Sequence, residues 1–285
     1  MPEVSILMGV YNGSRKYTAQ AVNSILDQTF TDFELIICDD GSSDCFYRWL
    51  AAFCEKDPRI FLLRNEQNRG LAATLNRCLR HASGTYIARM DADDISKKER
   101  LERQVSFLRR HKEFVIAGCN AQMISGRSIW GIRRMEEMPR RESFLSTSAF
   151  IHPTIMIRRE VLADLNGYCE SHKVQRVEDY ELFMRLYAAG YRGYNLQEEL
   201  FQYRESRHDY GRRKYQYRIK ECLVRWQGFG RLGIRKGNLR YVIKPLAAGL
   251  VPRKIMYKMR LKKYGQNADK RSEKSLEQDR YRMQL

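Results

Sequence analysis

Val4 to Val10 is a short apolar run that ends at the turn signal Tyr11-Asn12-Gly13, and from Thr18 to Gln28 the apolar residues Ala21, Val22, Ile25 and Leu26 recur at helical spacing. Strand, loop and helix are predicted in that order, and the order repeats. Phe33 to Cys38 reads as a strand stopped by Asp39-Asp40-Gly41-Ser42-Ser43, and Asp44 to Glu55 as a helix with Phe46, Trp49, Leu50 and Phe53 on one face. Ile60 to Leu63 is a third strand; Asn68-Arg69-Gly70 opens a helix through Leu71, Leu75 and Leu79; Tyr86 to Met90 is a fourth strand, broken by Asp91-Ala92-Asp93-Asp94. Strands alternating with helices of this length imply βαβ units and an α/β fold with a mainly parallel sheet flanked by helices. Ligands of such sheets sit outside the carboxyl ends of the strands, where these polar clusters fall.

Beyond Asp94 the alternation weakens. A helix from Lys97 to His111, a strand from Phe114 to Cys119 and a less regular stretch to Ser148 precede His152-Pro153-Thr154. Val177-Glu178-Asp179 opens another helix, whose apolar side is Tyr180, Phe183, Met184, Leu186 and Tyr187. A short strand-like run ends at Tyr203-Arg204, and the chain beyond Arg204 reads as helical and basic. The domains expected are 1–205 for the catalytic body, 206–265 for a basic helical extension and 266–285 for a disordered tail of mixed charge.

Composition sharpens that division. The formal net charge is +18, yet residues 1–203 hold 28 Lys and Arg against 27 Asp and Glu, whereas 204–285 hold 24 against 7. A near-neutral body with a cationic arm suits a small-molecule site joined to an anionic surface better than a uniformly basic nucleic-acid binder. The seven cysteines show no C-x-x-C pairing, so buried free thiols in a reducing compartment are expected and no zinc site is. The N-terminal apolar run is too short and wrongly flanked for a signal peptide, and no run approaches the roughly 18 apolar residues of a spanning helix. A cytoplasmic protein is expected.

Three acidic groups carry the candidate chemistry. Asp91, Asp93 and Asp94 put three carboxylates in four residues after an apolar strand; like charges so close need a compensating cation, which Mg²⁺ or Mn²⁺ bridging carboxylate to phosphate supplies. A solvated turn with Asp as helix cap is the plainer alternative. Asp39 and Asp40 are turn formers by composition, and also strand-end carboxylates able to accept from a base N–H or a ribose hydroxyl, with Tyr11 beside them as a stacking surface. Glu178 and Asp179 fit ordinary acid placement at a helix start, or a general base for an incoming hydroxyl.

Together Val10-Tyr11-Asn12, Asp39-Asp40-Gly41-Ser42, Asn68-Arg69-Gly70, Met90-Asp91-Ala92-Asp93-Asp94, His152-Pro153-Thr154 and Glu178-Asp179-Tyr180 resemble, in order and spacing over roughly residues 3–205, the bacterial family 2 glycosyltransferases of GT-A fold. Gly9 departs from the pattern, standing where many relatives carry Pro. The resemblance implies inverting transfer from a nucleoside-diphosphate sugar, usually a UDP-sugar, to a hydroxyl of a glycan or a polyprenyl-diphosphate-linked acceptor in surface-polysaccharide synthesis. It implies that Tyr11 stacks on the base, Asp39 binds its ring N–H, and Asp40 lies near the ribose. Asn12, Asn68 and Gly70 would complete the nucleotide pocket, with Asp91 near ribose or sugar hydroxyls. Asp93 would hold the metal, helped by Asp91 and Asp94; Asp179 would be the base, with Glu178 as the alternative. His152 would be an acceptor-side wall, and Arg204, or less well His208, a cation near the diphosphate.

Gly228-Phe229-Gly230-Arg231-Leu232-Gly233 spells a dinucleotide fingerprint, but a helix end precedes it and no acid stands about 20 residues later, so an inter-helix turn is expected. The apolar patch Pro245 to Val251 and the basic segment Arg253 to Lys263, with Ile255, Met256 and Met259 on one face, suggest contact with an anionic membrane surface, the inner face of the cytoplasmic membrane; a solvated cationic cap is the alternative. Two other functions remain. A nucleic-acid binder would use the basic arm, but no nucleic-acid motif is present there. A sugar-phosphate nucleotidyltransferase would need a glycine-rich basic phosphate loop, which is missing.

Overall fold

A computed structural model describes residues 1–126, 128–205 and 215–265. Strand β1 (Val4–Val10) is followed by helix α1 (Arg15–Leu26), β2 (Phe33–Asp39), α2 (Asp44–Cys54), β3 (Ile60–Arg64), α3 (Leu71–His81) and β4 (Tyr86–Arg89). The two-residue β5 (Ile95–Ser96) leads to α4 (Arg100–Arg110), a hairpin of β6 (Ile116–Ser125) and β7 (Ser128–Arg133), β8 (Met156–Arg158) and α5 (Arg159–Asp164). Then come α6 (Glu178–Ala188), β9 (Gly193–Arg204), α7 (Gln216–Arg231), α8 (Leu239–Leu250) and α9 (Arg253–Arg260).

The strands form one sheet in the order β3-β2-β1-β4-β8-β6-β9-β5, with β7 on β6. β1 to β4 are mutually parallel; β8 is antiparallel to both β4 and β6, so β6 and its parallel neighbour β9 run with the first four strands. Six strand carboxyl ends therefore share one edge. Because β8 runs the other way, its leading turn His152–Thr154 arrives at that same edge.

Both faces of the sheet are covered, as a parallel sheet requires. Along β1, Val4, Ile6 and Met8 face α1, α2 and α4, while Leu7 faces α3 and belongs to the cluster that includes α5, α6 and α7. Helices α7 and α8 are part of this body: Val224, Phe229 and Leu232 join the second cluster.

The glycine-rich segment differs from expectation. Gly228 and Gly230 lie inside α7, and only Gly233 makes the turn, at φ +74° with the Ile234 amide bonded back to Phe229. Gly228 serves packing: a Cβ there would lie 2.3 Å from Met184 Sδ of α6. The patch Pro245 to Val251 is likewise divided, since Pro245 is buried within α8 while Leu250 is exposed.

Candidate active site

The carboxyl edge is built first by hydrogen bonds among its own loops. Asn12, at φ +45°, donates its amide to Ser42 Oγ (2.8 Å) and accepts from the Ser43 amide (3.0 Å), tying the end of β1 to that of β2. Tyr11 beside it is 53% exposed, a ring held at the rim. Asp39 is fully buried; its Oδ2 accepts from the Ser42 amide (3.1 Å) and lies 3.5 Å from Arg64 Nε, while its Oδ1 has no hydrogen-bond partner among the described residues. A buried carboxylate oxygen without a donor is costly, and an N–H from a bound base would satisfy it.

Asp40 has a different job. Its Oδ1 accepts from Asn65 Nδ2 and the Arg69 amide, both at 2.8 Å, and its Oδ2 from the Gly70 amide at 2.9 Å. The Asn68-Arg69-Gly70 loop thus hangs from Asp40, and Gly70 takes φ +87°, a conformation that glycine alone adopts without strain. With its oxygens engaged in this way, Asp40 is a latch for the loop more than a partner for the ribose.

The third acidic group splits three ways. Asp91 is half-buried and ion-paired to Arg89 (2.5 Å), itself a fully buried guanidinium. Asp93 is exposed, and its backbone carbonyl accepts from Arg204 Nε (2.6 Å). Asp94 turns inward, its Oδ1 accepting the Arg204 amide (2.6 Å), and burial with Asp91 and Asp93 nearby pushes its carboxyl well above the usual range. Asp94 therefore anchors the end of β9 through Oδ1, while its Oδ2 is buried with no hydrogen-bond partner among the described residues. Among the described residues no three His, Cys, Asp or Glu side chains converge on one point. What the rim offers is Asp93 with Asp91, a pair suited to a divalent ion that a diphosphate also holds. Arg204 stacks on Tyr17 at 4.0 Å and braces this loop; His208 lies outside the described residues.

The turns around His152 and Tyr168 meet this frame through two links. Asn76 of α3 receives the Tyr168 amide and donates to the Tyr168 carbonyl, both at 2.8 Å, which fixes the loop before α6 onto the helix that Gly70 opens. The Tyr168 hydroxyl is 2.9 Å from His152 Nε2, and burial pushes its pKa up, with the charges of Asp179, Glu178 and Asp91 adding to the rise and Arg89 opposing it. Burial, with Arg89 adding to it, holds His152 well below the usual imidazole range, neutral and edge-on to Phe183. Glu178 is buried, its carboxyl raised by desolvation and by Asp179, and it lines a cavity of about 120 Å³ with Asn68, Arg69, Gly70 and Gln175. Asp179, one residue on, is half-exposed.

Sequence reading missed Arg89, Arg100 and Tyr168. Arg100 Nη1 donates to the carbonyls of Arg89 (3.0 Å) and Pro153 (2.9 Å), joining β4 to the His152 turn, and desolvation lowers its pKa to about 10. An arginine inside the apolar run Tyr86 to Met90 was a signal; Tyr168 offered none.

Comparison with known proteins gives the family and the fold. The model of glycosyl transferase family 2 matches residues 5–165. The glycosyltransferase EpsE of Bacillus subtilis is 37% identical over 256 residues, covering 90% of this chain and 92% of its own. Two solved structures share the fold: Staphylococcus aureus TarS 1–349 with UDP-GlcNAc (TM-score 0.64, 21% identity, 87% of this chain and 71% of that one) and the mannosyltransferase PcManGT of Pyrobaculum calidifontis with GDP-Man and Mn²⁺ (TM-score 0.62, 18% identity, 90% and 79%). No helix among the described residues is long and apolar enough to cross a membrane. Neither a nucleotidyltransferase nor a nucleic-acid binder is needed to explain the fold or the site: the chain is a GT-A glycosyltransferase and belongs to glycosyl transferase family 2.

Proposed function

We propose that this enzyme moves a sugar from a nucleoside-diphosphate sugar, a UDP-sugar first, to a hydroxyl of a glycan or polyprenyl-diphosphate-linked acceptor, with inversion at the anomeric carbon. The observation that carries the reading is the buried Asp39 carboxylate at the carboxyl edge of the sheet, in register with the strand end that leads to Tyr11, with its Oδ1 left without a hydrogen-bond partner among the described residues.

In this reading Tyr11 stacks on the base and the unpartnered Oδ1 of Asp39 accepts its ring N–H. Asn12 and Asp40 hold the walls of the nucleotide pocket, the second through Asn68 and Gly70. Asp91, oriented by Arg89, meets ribose or sugar hydroxyls. Asp93 with Asp91 would hold Mn²⁺ or Mg²⁺, which when bound offsets the charge growing on the leaving diphosphate. Asp179, half-exposed where an acceptor enters, takes the proton of the attacking hydroxyl. Glu178 is the second candidate for that role, but it is buried and so less open to an incoming hydroxyl. His152, neutral and locked to Tyr168, shapes the acceptor wall.

A panel of nucleotide-sugars incubated with Mn²⁺ and scored for nucleoside diphosphate tests the reading. Release from one or a few donors, increased by a hydroxyl acceptor, is expected; pyrophosphate as the product, or no release from any donor, contradicts it.

A further inference from the structure

Helix α7 packs inward through Val224, Gly228 and Phe229. Its opposite side carries Tyr215, Ile219, Leu223 and Trp226, spaced four, four and three residues apart and each 47 to 48% exposed. Helix α8 lies antiparallel beside it: Gly249 meets Tyr215 and Arg218 at the start of α7, while the Tyr241 carbonyl accepts from Arg225 further along. It has an outward row of its own, Leu239, Ile243 and Leu250, at 54, 60 and 76% exposure. Each row stands about a quarter turn from the side by which its helix touches the other, and in an antiparallel pair both turn the same way. The rows therefore merge into one apolar face over two helices, larger than the scattered exposed residues a soluble surface normally tolerates.

Charge decides what covers it. Residues 215–265 hold 14 Lys and Arg against a single acid, Glu221, which Arg218 and Arg225 already engage. Lys220, Arg240 and Lys244 flank the rows, and Arg235 lies over the Trp226 ring at 4.2 Å. A second copy docked two-fold on this face would set these cations against their own equivalents. An anionic bilayer instead takes the apolar rows into its interface and the cations against its headgroups. The geometry points to the outward face of the α7–α8 pair as the membrane-docking surface of this enzyme, in place of the 245–263 segment alone, whose Pro245 is core.

The position of that face bears on the acceptor. Lys220 Nζ donates to Gln175 Oε1 at 3.0 Å, and Gln175 lines the cavity that Glu178 and Gly70 share. The docked protein thus holds that cavity beside the bilayer, open to an acceptor whose lipid tail stays in the membrane; this last step rests on the function proposed above, whereas the docking itself does not.

The test is co-flotation of the full-length protein with vesicles of phosphatidylglycerol and phosphatidylcholine, or of phosphatidylcholine alone, at low and high salt, with tryptophan emission recorded alongside. Binding to the anionic vesicles is expected, with a blue shift of emission that Trp226→Phe abolishes. The double variant Leu223→Ser with Ile243→Ser, altered only at exposed positions, should partition roughly tenfold less, with donor hydrolysis in water unchanged. Failure of the full chain to bind anionic vesicles overturns the proposal. So does binding that the double variant retains, which would leave the contact to charge alone, or a dimer that the double variant dissociates while vesicle binding persists. Vesicle binding without any donor hydrolysis would count against the proposed function and leave the docking face standing.

Discussion

The edge at β1 to β4 and the edge at α6 build their polar groups by opposite means. On the proposed donor side Asp39, Asp40 and Asn12 are placed by parallel strands that end in register, Val10 opposite Asp39 and Asp39 opposite Arg64, and each carboxylate is then pinned by amides of the next loop. On the acceptor side Tyr168, His152 and Glu178 stand on short turns and a helix start, held by contacts across the sequence such as Asn76 to Tyr168, 92 residues apart. Under the proposed function the local frame fixes nucleotide chemistry firmly, while the frame of long-range contacts leaves the acceptor wall free to differ without disturbing the sheet. Substitutions on either side should respond accordingly.

The largest effect is expected where the donor frame is latched. Asp40→Ala orphans the Arg69 and Gly70 amides and leaves the buried Asn65 amide only Thr74 Oγ1, and should cost about 3 kcal/mol of stability, read as a lower denaturation midpoint; an unchanged midpoint would remove the latch from the comparison. Gly228→Ala, which thrusts a Cβ against Met184 of α6, should cost about 2 kcal/mol and raise KM for the acceptor more than for the donor, since α6 carries the acceptor side. Asp93→Ala should leave stability alone and weaken Mn²⁺-dependent donor binding roughly tenfold, about 1.4 kcal/mol, by calorimetry. Smallest is Glu178→Gln. Its carboxyl is raised above 4.5 in the folded chain, so the unfolded chain releases that proton first and wild-type stability falls as pH rises from about 4.5 through the raised value. The variant should gain in midpoint over wild type at neutral pH and gain nothing well below 4.5; a gain that ignores pH would show that Glu178 is not strained by ionisation.

The two sides also differed in how far the sequence revealed them. Period and turn chemistry located α2 and α3 within a residue or two of their bounds and placed Asp39, Asp93 and Gly70 at strand and helix ends, because those choices are local. The strand expected from Phe114 to Cys119 runs on as β6 to Ser125, the less regular stretch that follows it contains β7, and the run ending at Arg204 is a twelve-residue strand; these extensions are stabilised by pairing with other strands, which no local pattern encodes. Asp94 looked like its neighbours in sequence and is separated from them by a burial that only the return of β9 creates. The glycine segment of α7 reads in sequence as an inter-helix turn, and packing keeps Gly228 and Gly230 inside the helix, leaving the turn to Gly233.

Asp179→Asn separates the two sides most directly. Donor affinity measured by calorimetry should stay within about twofold of wild type while transfer to acceptor falls about 10²-fold or more. Unimpaired transfer would move the base elsewhere, to Glu178 first, and a collapse of donor affinity would contradict a site in which nucleotide and nucleophile are held by different parts of the chain.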